Sequence, residues 1–332
     1  MGTDTGVIST MTNPLAAVAD TILDKLVIPG YSSIGPWLRK NWWPADPPPF
    51  GRSVNIVVTG GSSGIGAATA AGLTALGARV HLVGRKADRL QTSAAKIRLQ
   101  QPDAELVIHE CDISDLDSVR ALTAELLDDL DSVHALIHCA GIMPPERKTT
   151  AQGHELVFAT HILGPFLLTV GLRPLLRADG DGRVVFVSSG GMYTAGLDKD
   201  LEYSSGEYSG VRAYARTKRM QVVLTEKLAT AFSAAGDPVV HSMHPGWVAT
   251  PGVSDSIPGF EKVAGPILRS PELGADTIVW LSASPEATPT TGHFWCDRRV
   301  RPTHYWPWGQ DDPAARRLLF QTCLADTGVT LG

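Results

Sequence analysis

The sequence predicts an α/β fold built on a doubly wound parallel sheet in one domain, preceded by a helical extension. Two observations carry this. An unbroken series of short apolar runs alternates with helix-period segments, and each conspicuous run of small or polar residues falls just after one of the apolar runs. Ligands of such sheets bind at the carboxyl ends of the strands, where all of these runs lie.

The elements follow in order. Val54 to Val58 reads as a buried strand that ends at Thr59-Gly60-Gly61-Ser62-Ser63-Gly64-Ile65-Gly66, and Ala67 to Leu76 as the helix after it. Strand two is expected at Arg79 to Val83, its helix at Lys86 to Leu99, and strand three at Glu105 to His109. A helix at Val119 to Leu130, strand four at Val133 to His138 and one long helix over Gly153 to Leu176 come next. Strand five at Arg183 to Val187, a helix at Val211 to Ala234, strand six at Pro238 to Met243 and a last strand near His293 to Cys296 complete the series. No internal repeat interrupts it.

The glycine run opens a helix, where backbone can approach a pyrophosphate closely and the helix N-terminus favours negative charge. Further on, Tyr214 and Lys218 stand four apart on a predicted helix and face the same way. Free tyrosine titrates near ~10, and a neighbouring ammonium favours its phenolate. The pair alone is common on solvated helices, and Ser188-Ser189 after strand five is what gives it chemical meaning.

The spacing Gly-x-x-x-Gly-x-Gly resembles the short-chain dehydrogenase/reductase superfamily of the classical type, with a Rossmann-like fold. The resemblance runs from Val54 to Asp297 and includes Cys111-Asp112, Cys139-Ala140-Gly141, Ser188-Ser189 and His244-Pro245-Gly246-Trp247-Val248-Ala249-Thr250. Val187 to Met192, Met220 to Glu226 and Ser242 to Trp247 are similar to the dehydrogenase/reductase member 12 branch. The resemblance implies that Tyr214 exchanges a proton with a carbonyl or alcohol oxygen held by Ser189, Ser188 being the alternative. It also implies that Lys218 bonds the nicotinamide ribose. Thr59, Gly60, Ser62, Ser63, Gly64, Ile65 and Gly66 would hold the pyrophosphate, Asp112 and Ile113 the adenine, and Cys139, Ala140 and Gly141 the adenosine ribose. Pro245, Gly246 and Val248 would also bind the cofactor, and Thr250 would contact the nicotinamide amide or the pyrophosphate. His161 stands where the superfamily often places an asparagine supporting a water chain to the lysine. It either supports that relay in another way or is a satisfied core residue.

At the end of strand two the sequence reads Val83-Gly84-Arg85-Lys86, with no carboxylate to bind ribose hydroxyls. Arg85 favours NADP (NADPH), because a guanidinium can pair with a 2′-phosphate. Pro251 to Ser270 lies where relatives carry a substrate lid, and its Val253, Ile257, Phe260, Val263, Ile267 and Leu268 favour a hydrophobic carbonyl or alcohol. An alternative reading is a catalytically weak NADPH-binding sensor or scaffold.

The 332-residue chain carries a formal net charge of −5 and no long basic run, which argues against nucleic acid. Arg298-Arg299-Val300-Arg301 reads as a solvated turn. Four separated cysteines and scattered histidines suggest neither disulfides nor a metal, and a reducing, cytoplasmic setting is the simpler inference. Three parts are expected: an extension with a Pro-rich linker over 1–50, the catalytic domain over 51–300 and a tail over 301–332. In the extension, Leu15, Val18, Ala19, Ile22, Leu23, Leu26 and Val27 recur at helical spacing on one face. The helix either packs on the enzyme's own surface or, with Trp37, Trp42, Trp43 and the neighbouring basic residues, anchors peripherally at a membrane. The long helices through which relatives pair are present, so a homodimer is compatible.

Overall fold

The computed structural model describes residues 14–249, 265–305 and 310–331. Its centre is a sheet in the order β3-β2-β1-β4-β5-β6-β7-β8. The strands are β1 Asn55–Thr59, β2 Arg79–Gly84, β3 Leu106–Glu110, β4 Ala135–His138, β5 Arg183–Val187, β6 Val239–Met243, β7 Phe294–Cys296 and β8 Arg299–Val300. Neighbours run parallel through β7, and β8 pairs antiparallel with it. β8 is an addition to the sheet read from sequence.

Apolar strands buried on both faces create two cores. Val57, Val83, Leu136, Val184 and Phe186 point to one side, and Ile56, Val58, Leu82, Ile137 and Val185 to the other. The first side is covered by α6 Leu116–Asp129, α8 Gly164–Gly171 and α10 Gly210–Ala231, the second by α4 Gly64–Ala75, α5 Ala87–Gln100 and α11 Pro271–Ala283. Strand order reverses between β1 and β4, which makes the gap between their carboxyl ends the expected ligand crevice.

The long helix expected over Gly153 to Leu176 is broken. It begins as the short turn α7 Leu156–Phe158, widens to a π-helix over Ala159–Leu163 and continues as α8. At Leu172 the chain bends by 54° into α9 Arg173–Asp179, because Pro174 supplies no backbone N–H. The stretch expected as a tail holds α12 Pro313–Thr327, whose Leu319 and Cys323 are fully buried in the first core.

The largest departure is the extension, which forms α1 Pro14–Lys25, α2 Val27–Tyr31 and α3 Ile34–Arg39. Helix α1 is packed inside out, with Asp20, Leu23 and Asp24 buried and Val18 and Ile22 exposed. Asp20 accepts from Arg39 Nε (2.8 Å) and from Arg301 Nη1 (2.6 Å), while Arg301 Nε lies 3.4 Å from Asp24. Asp297, after β7, accepts from Arg39 (2.5 Å) and bidentately from Arg269 (2.6 and 3.0 Å). Arg298 pairs with Asp276 and Asp46 and lies over Trp43, tying down the Pro-rich linker. The expectation of a solvated Arg298–Arg301 turn is therefore corrected. Arg301 is buried because Asp20 and Asp24 of α1 supply its counter-charges, and Arg298 because Asp276 of α11 and Asp46 of the linker supply its own.

Candidate active site at the carboxyl ends of the strands

The glycine run lies where β1 ends and α4 begins. Gly60 has a φ of 73°, and a Cβ there would sit 2.8 Å from Ala140 N, so only glycine lets this turn meet the loop after β4. At Gly66 a Cβ would lie 2.3 Å from Gly60 O. Thr59 supports the junction from below, its Oγ1 accepting from Ala140 N (3.2 Å). Ser63 is the N-cap of α4, yet its hydroxyl caps no N–H, whereas Asp115, Ser209 and Ser270 cap α6, α10 and α11. The first turn of α4, with Ser62, Gly64 and Ile65, keeps its donors for a ligand.

Around this cradle, Arg85 is exposed just beyond β2. Asp112 is half-buried and accepts from Ser114 N (2.9 Å) and Ser114 Oγ (2.7 Å) through one oxygen. Ile113 is buried, and its carbonyl packs where a Cβ at Gly164 would lie 1.9 Å away, so that glycine brings the π-helix up to the loop after β3. Burial pushes the Cys139 thiol up to about 12, leaving it neutral in the loop with Ala140 and Gly141. Pro245 and Gly246 are also held: Pro245 O accepts from Arg269 Nη1 (3.1 Å), and Gly246 takes a φ of 79° against Arg269 and Tyr31 O. Val248 is buried and bridged to Arg269, while Thr250 and most of the expected lid, through 264, lie outside the described residues.

Helix α10 brings Tyr214 and Lys218 beneath Ser189. Lys218 Nζ lies 5.3 Å from the centre of the Tyr214 ring, and His161 packs edge-on to the same ring at 5.6 Å. Burial raises the Tyr214 phenol, and a hydrogen bond with Ser189 offsets part of that. The two serines divide their work. Ser188 is buried and donates to Lys218 O (2.8 Å), fixing α10 to the end of β5, whereas Ser189 is half-buried and its Oγ accepts only from Gly191 N (3.1 Å) among backbone donors. Tyr193, Tyr203 and Tyr208 bond Pro302 O, Glu207 O and Glu155, as packing residues do.

Lys218 is surrounded by neutral groups. Its Nζ donates to Val187 O (2.8 Å) and Gln221 Oε1 (3.2 Å), and burial lowers its pKa to about 7. Gln221 is fully buried and its amide donates to His161 O (3.1 Å), so it spans the space between that carbonyl and the ammonium. His161 itself is satisfied on both ring nitrogens. Nε2 accepts from Ile142 N (3.1 Å), which leaves Nδ1 to donate to Thr217 Oγ1 (2.7 Å), and burial with the nearby Lys218 charge keeps the ring neutral. Gln221 is the site residue that sequence reasoning missed. It stands three residues after Lys218 on the same helical face, and that spacing was the available signal.

A cavity of about 640 Å³ opens between residues 194–199, α10 and the start of α12, lined by Leu197, Tyr203 and Arg216 among others. None of Ser189, Tyr214 and Lys218 lines it.

The chain is similar to known proteins in sequence and fold. Residues 54–258 fit the family model described as short chain dehydrogenase. Dehydrogenase/reductase SDR family member 12 of Bos taurus is 42% identical over 253 residues, covering 75% of this chain and 78% of that protein. Retinol dehydrogenase 14 of Homo sapiens is 31% identical over 283 residues, covering 79% and 83%. Among solved structures, an uncharacterized protein from Mycobacterium paratuberculosis aligns with a TM-score of 0.69 at 25% identity, covering 88% of this chain and 99% of that one. An NAD(P)-dependent gluconate 5-dehydrogenase from Beutenbergia cavernae, with bound NADP, aligns at 0.59 and 26% identity, covering 74% and 94%.

Proposed function

The chain belongs to the short chain dehydrogenase family and is an NADP-dependent oxidoreductase, and from that premise we propose that it interconverts a hydrophobic carbonyl compound and its alcohol, with Tyr214 as proton donor and acceptor. The observation that carries this reading is the convergence of Ser189, Tyr214 and Lys218 beside the glycine cradle.

The residues present fit the cofactor. The cradle at Gly60 and Gly66 would be filled by any Cβ, the first turn of α4 has uncapped donors, and Arg85 stands free to face a 2′-phosphate at the end of β2. When bound, NADPH supplies the hydride that adds to the carbonyl carbon. This chain's residues manage the proton. Ser189 holds the substrate oxygen, and Tyr214, protonated at neutral pH because burial raises its pKa, gives its proton to that oxygen as charge develops there. The resulting tyrosinate is stabilised by the ammonium of Lys218. Val187 O and Gln221 take two of the three ammonium hydrogens, which leaves the third for the nicotinamide ribose. We assign His161 and Gln221 as positioning residues. The His161 ring ties the loop after β4 to α10, and its carbonyl orients the Gln221 amide toward Lys218.

The test is oxidation of NADPH and NADH by purified protein over a panel of apolar aldehydes and ketones, with Tyr214→Phe alongside. Turnover that prefers NADPH and disappears in the variant supports the proposal. Tight NADPH binding with no turnover on any member of the panel would transfer the argument to a nucleotide sensor.

A further inference from the structure

Single exposed apolar side chains need no explanation, but the extension concentrates them. Val18, Ile22, Leu26, Ile28, Ile34 and Trp37 are all exposed, Trp37 at 72%. Elsewhere among the described residues only Leu99, Leu127, Val211 and Leu318 are comparably exposed large apolar residues. The charges of the same segment are sorted in the opposite sense. Asp20, Asp24 and Arg39 are buried in the ion network, and the remaining charged residues, Lys25 and Lys40, face solvent. The outer surface of α1–α3 is thus apolar and basic, with a tryptophan.

We propose that α1–α3 dock the enzyme onto the interfacial zone of a lipid bilayer bearing anionic headgroups. Two features select this occupant over a second protein. An outward face that pairs apolar residues with lysines and one tryptophan, and holds its carboxylates inside, matches the layering of acyl chain and negative headgroup. The extension is also joined to the substrate end of the sheet. Tyr31 O accepts from Trp247 N (2.7 Å), Ser33 N donates to Ile267 O (2.9 Å), and Arg269 Nη2 donates to Gly30 O (2.8 Å). Those partners flank residues 250–264 on both sides, and the Tyr31 ring lies where a Cβ on Gly190, next to Ser189, would be 2.5 Å away. Docking through α1–α3 therefore holds the Ser189 end of the sheet close to the membrane surface, where an apolar carbonyl compound concentrates. No single described helix is long and apolar enough to cross the bilayer.

The experiment uses the full chain, because deleting the extension would strand Arg269, Arg301 and Asp297 without their partners. Flotation with vesicles of phosphatidylcholine, alone or mixed with phosphatidylserine, is compared for the wild type, for Ile22→Asp/Trp37→Ser and for Lys25→Glu/Lys40→Glu. The wild type is expected to float with the mixed vesicles and to be released by salt. The apolar double variant should lose at least about tenfold in bound fraction, and the lysine variant its preference for phosphatidylserine. Unchanged melting and NADPH turnover on a water-soluble carbonyl compound show that each variant is folded, and keep this test separate from that of the catalytic reading. A wild type that stays in the aqueous phase with both vesicles, or an apolar variant that floats as well as the wild type, overturns the proposal. So does a wild-type dimer that fails to float and that the apolar variant dissociates, since the face would then belong to a contact between copies.

Discussion

Two buried cation sites sit on this sheet and have opposite chemistry. Lys218, at the end of β5, is buried among a carbonyl, an amide and a neutral imidazole, and its pKa falls to about 7. Arg39, Arg269 and Arg301, beyond β7, are just as buried but face Asp20, Asp24 and Asp297. Burial there disfavours the charges, yet the guanidiniums of Arg269 and Arg39 outweigh it and hold Asp297 down to about 2, while Arg269 and Arg301 stay fully charged. Burial without a counter-charge produces a group poised to respond to pH. Burial with one produces an inert brace.

The comparison breaks most sharply if one site can be disabled without the other. Tyr214→Phe is expected to cut kcat by roughly 10²–10⁴-fold, measured as NADPH oxidation, with melting temperature and NADPH affinity held, since only a proton donor is lost. Asp297→Ala should do the reverse. It leaves two buried guanidiniums short of a carboxylate and should cost about 3–5 kcal/mol in urea unfolding, with per-molecule kcat near wild type while the protein remains folded. The sign with pH follows from the lowered Asp297 and Asp20 values. Their contribution is complete above the unfolded carboxylate pKa of about 3.9 and is lost as pH falls toward about 2, so acid unfolding in that window should be flatter in Asp297→Ala.

Smaller effects refine the active corner. Arg85→Ala should weaken NADPH binding by about ten- to a hundredfold, the equivalent of a lost charge-assisted hydrogen bond, and leave NADH unchanged. Equal losses for both nucleotides would mean that Arg85 does not meet the 2′-phosphate. Gln221→Met should lower kcat only several-fold. Its diagnostic readout is the pH profile of kcat/KM for NADPH, which reports the free enzyme. Wild type should lose activity as pH rises through about 7, where Lys218 deprotonates, and the variant should lose it at lower pH, because the ammonium has lost an acceptor. An unmoved inflection would show Gln221 to be a packing residue.

Much of this was legible in one dimension. The five residues of β5 were read to their ends, and β1 to β4, β6 and β7 to within two residues, because a strand buried on both faces is written as a continuous apolar run, whereas the two-residue β8 was not read at all. The cradle was equally plain, since glycine is the only residue that can bring Gly60 against Ala140 and Gly66 against Gly60 O. Tyr214 and Lys218 share a face by helical arithmetic alone. Tertiary structure decided what depends on partners distant in the chain. Gln221 meets His161 O across 60 residues; its spacing from Lys218 gives the helical face it shares but not the distant carbonyl that buries and orients it. The inversion of α1 is the clearest case. Of the apolar stripe expected on it, Val18 and Ile22 face outward and Leu23 inward, and the side that faces the protein was chosen by Arg301, 281 residues from Asp20. A sequence pattern fixes which residues of a helix share a face; which face turns inward depends on the charges waiting there, and those only the folded chain assembles.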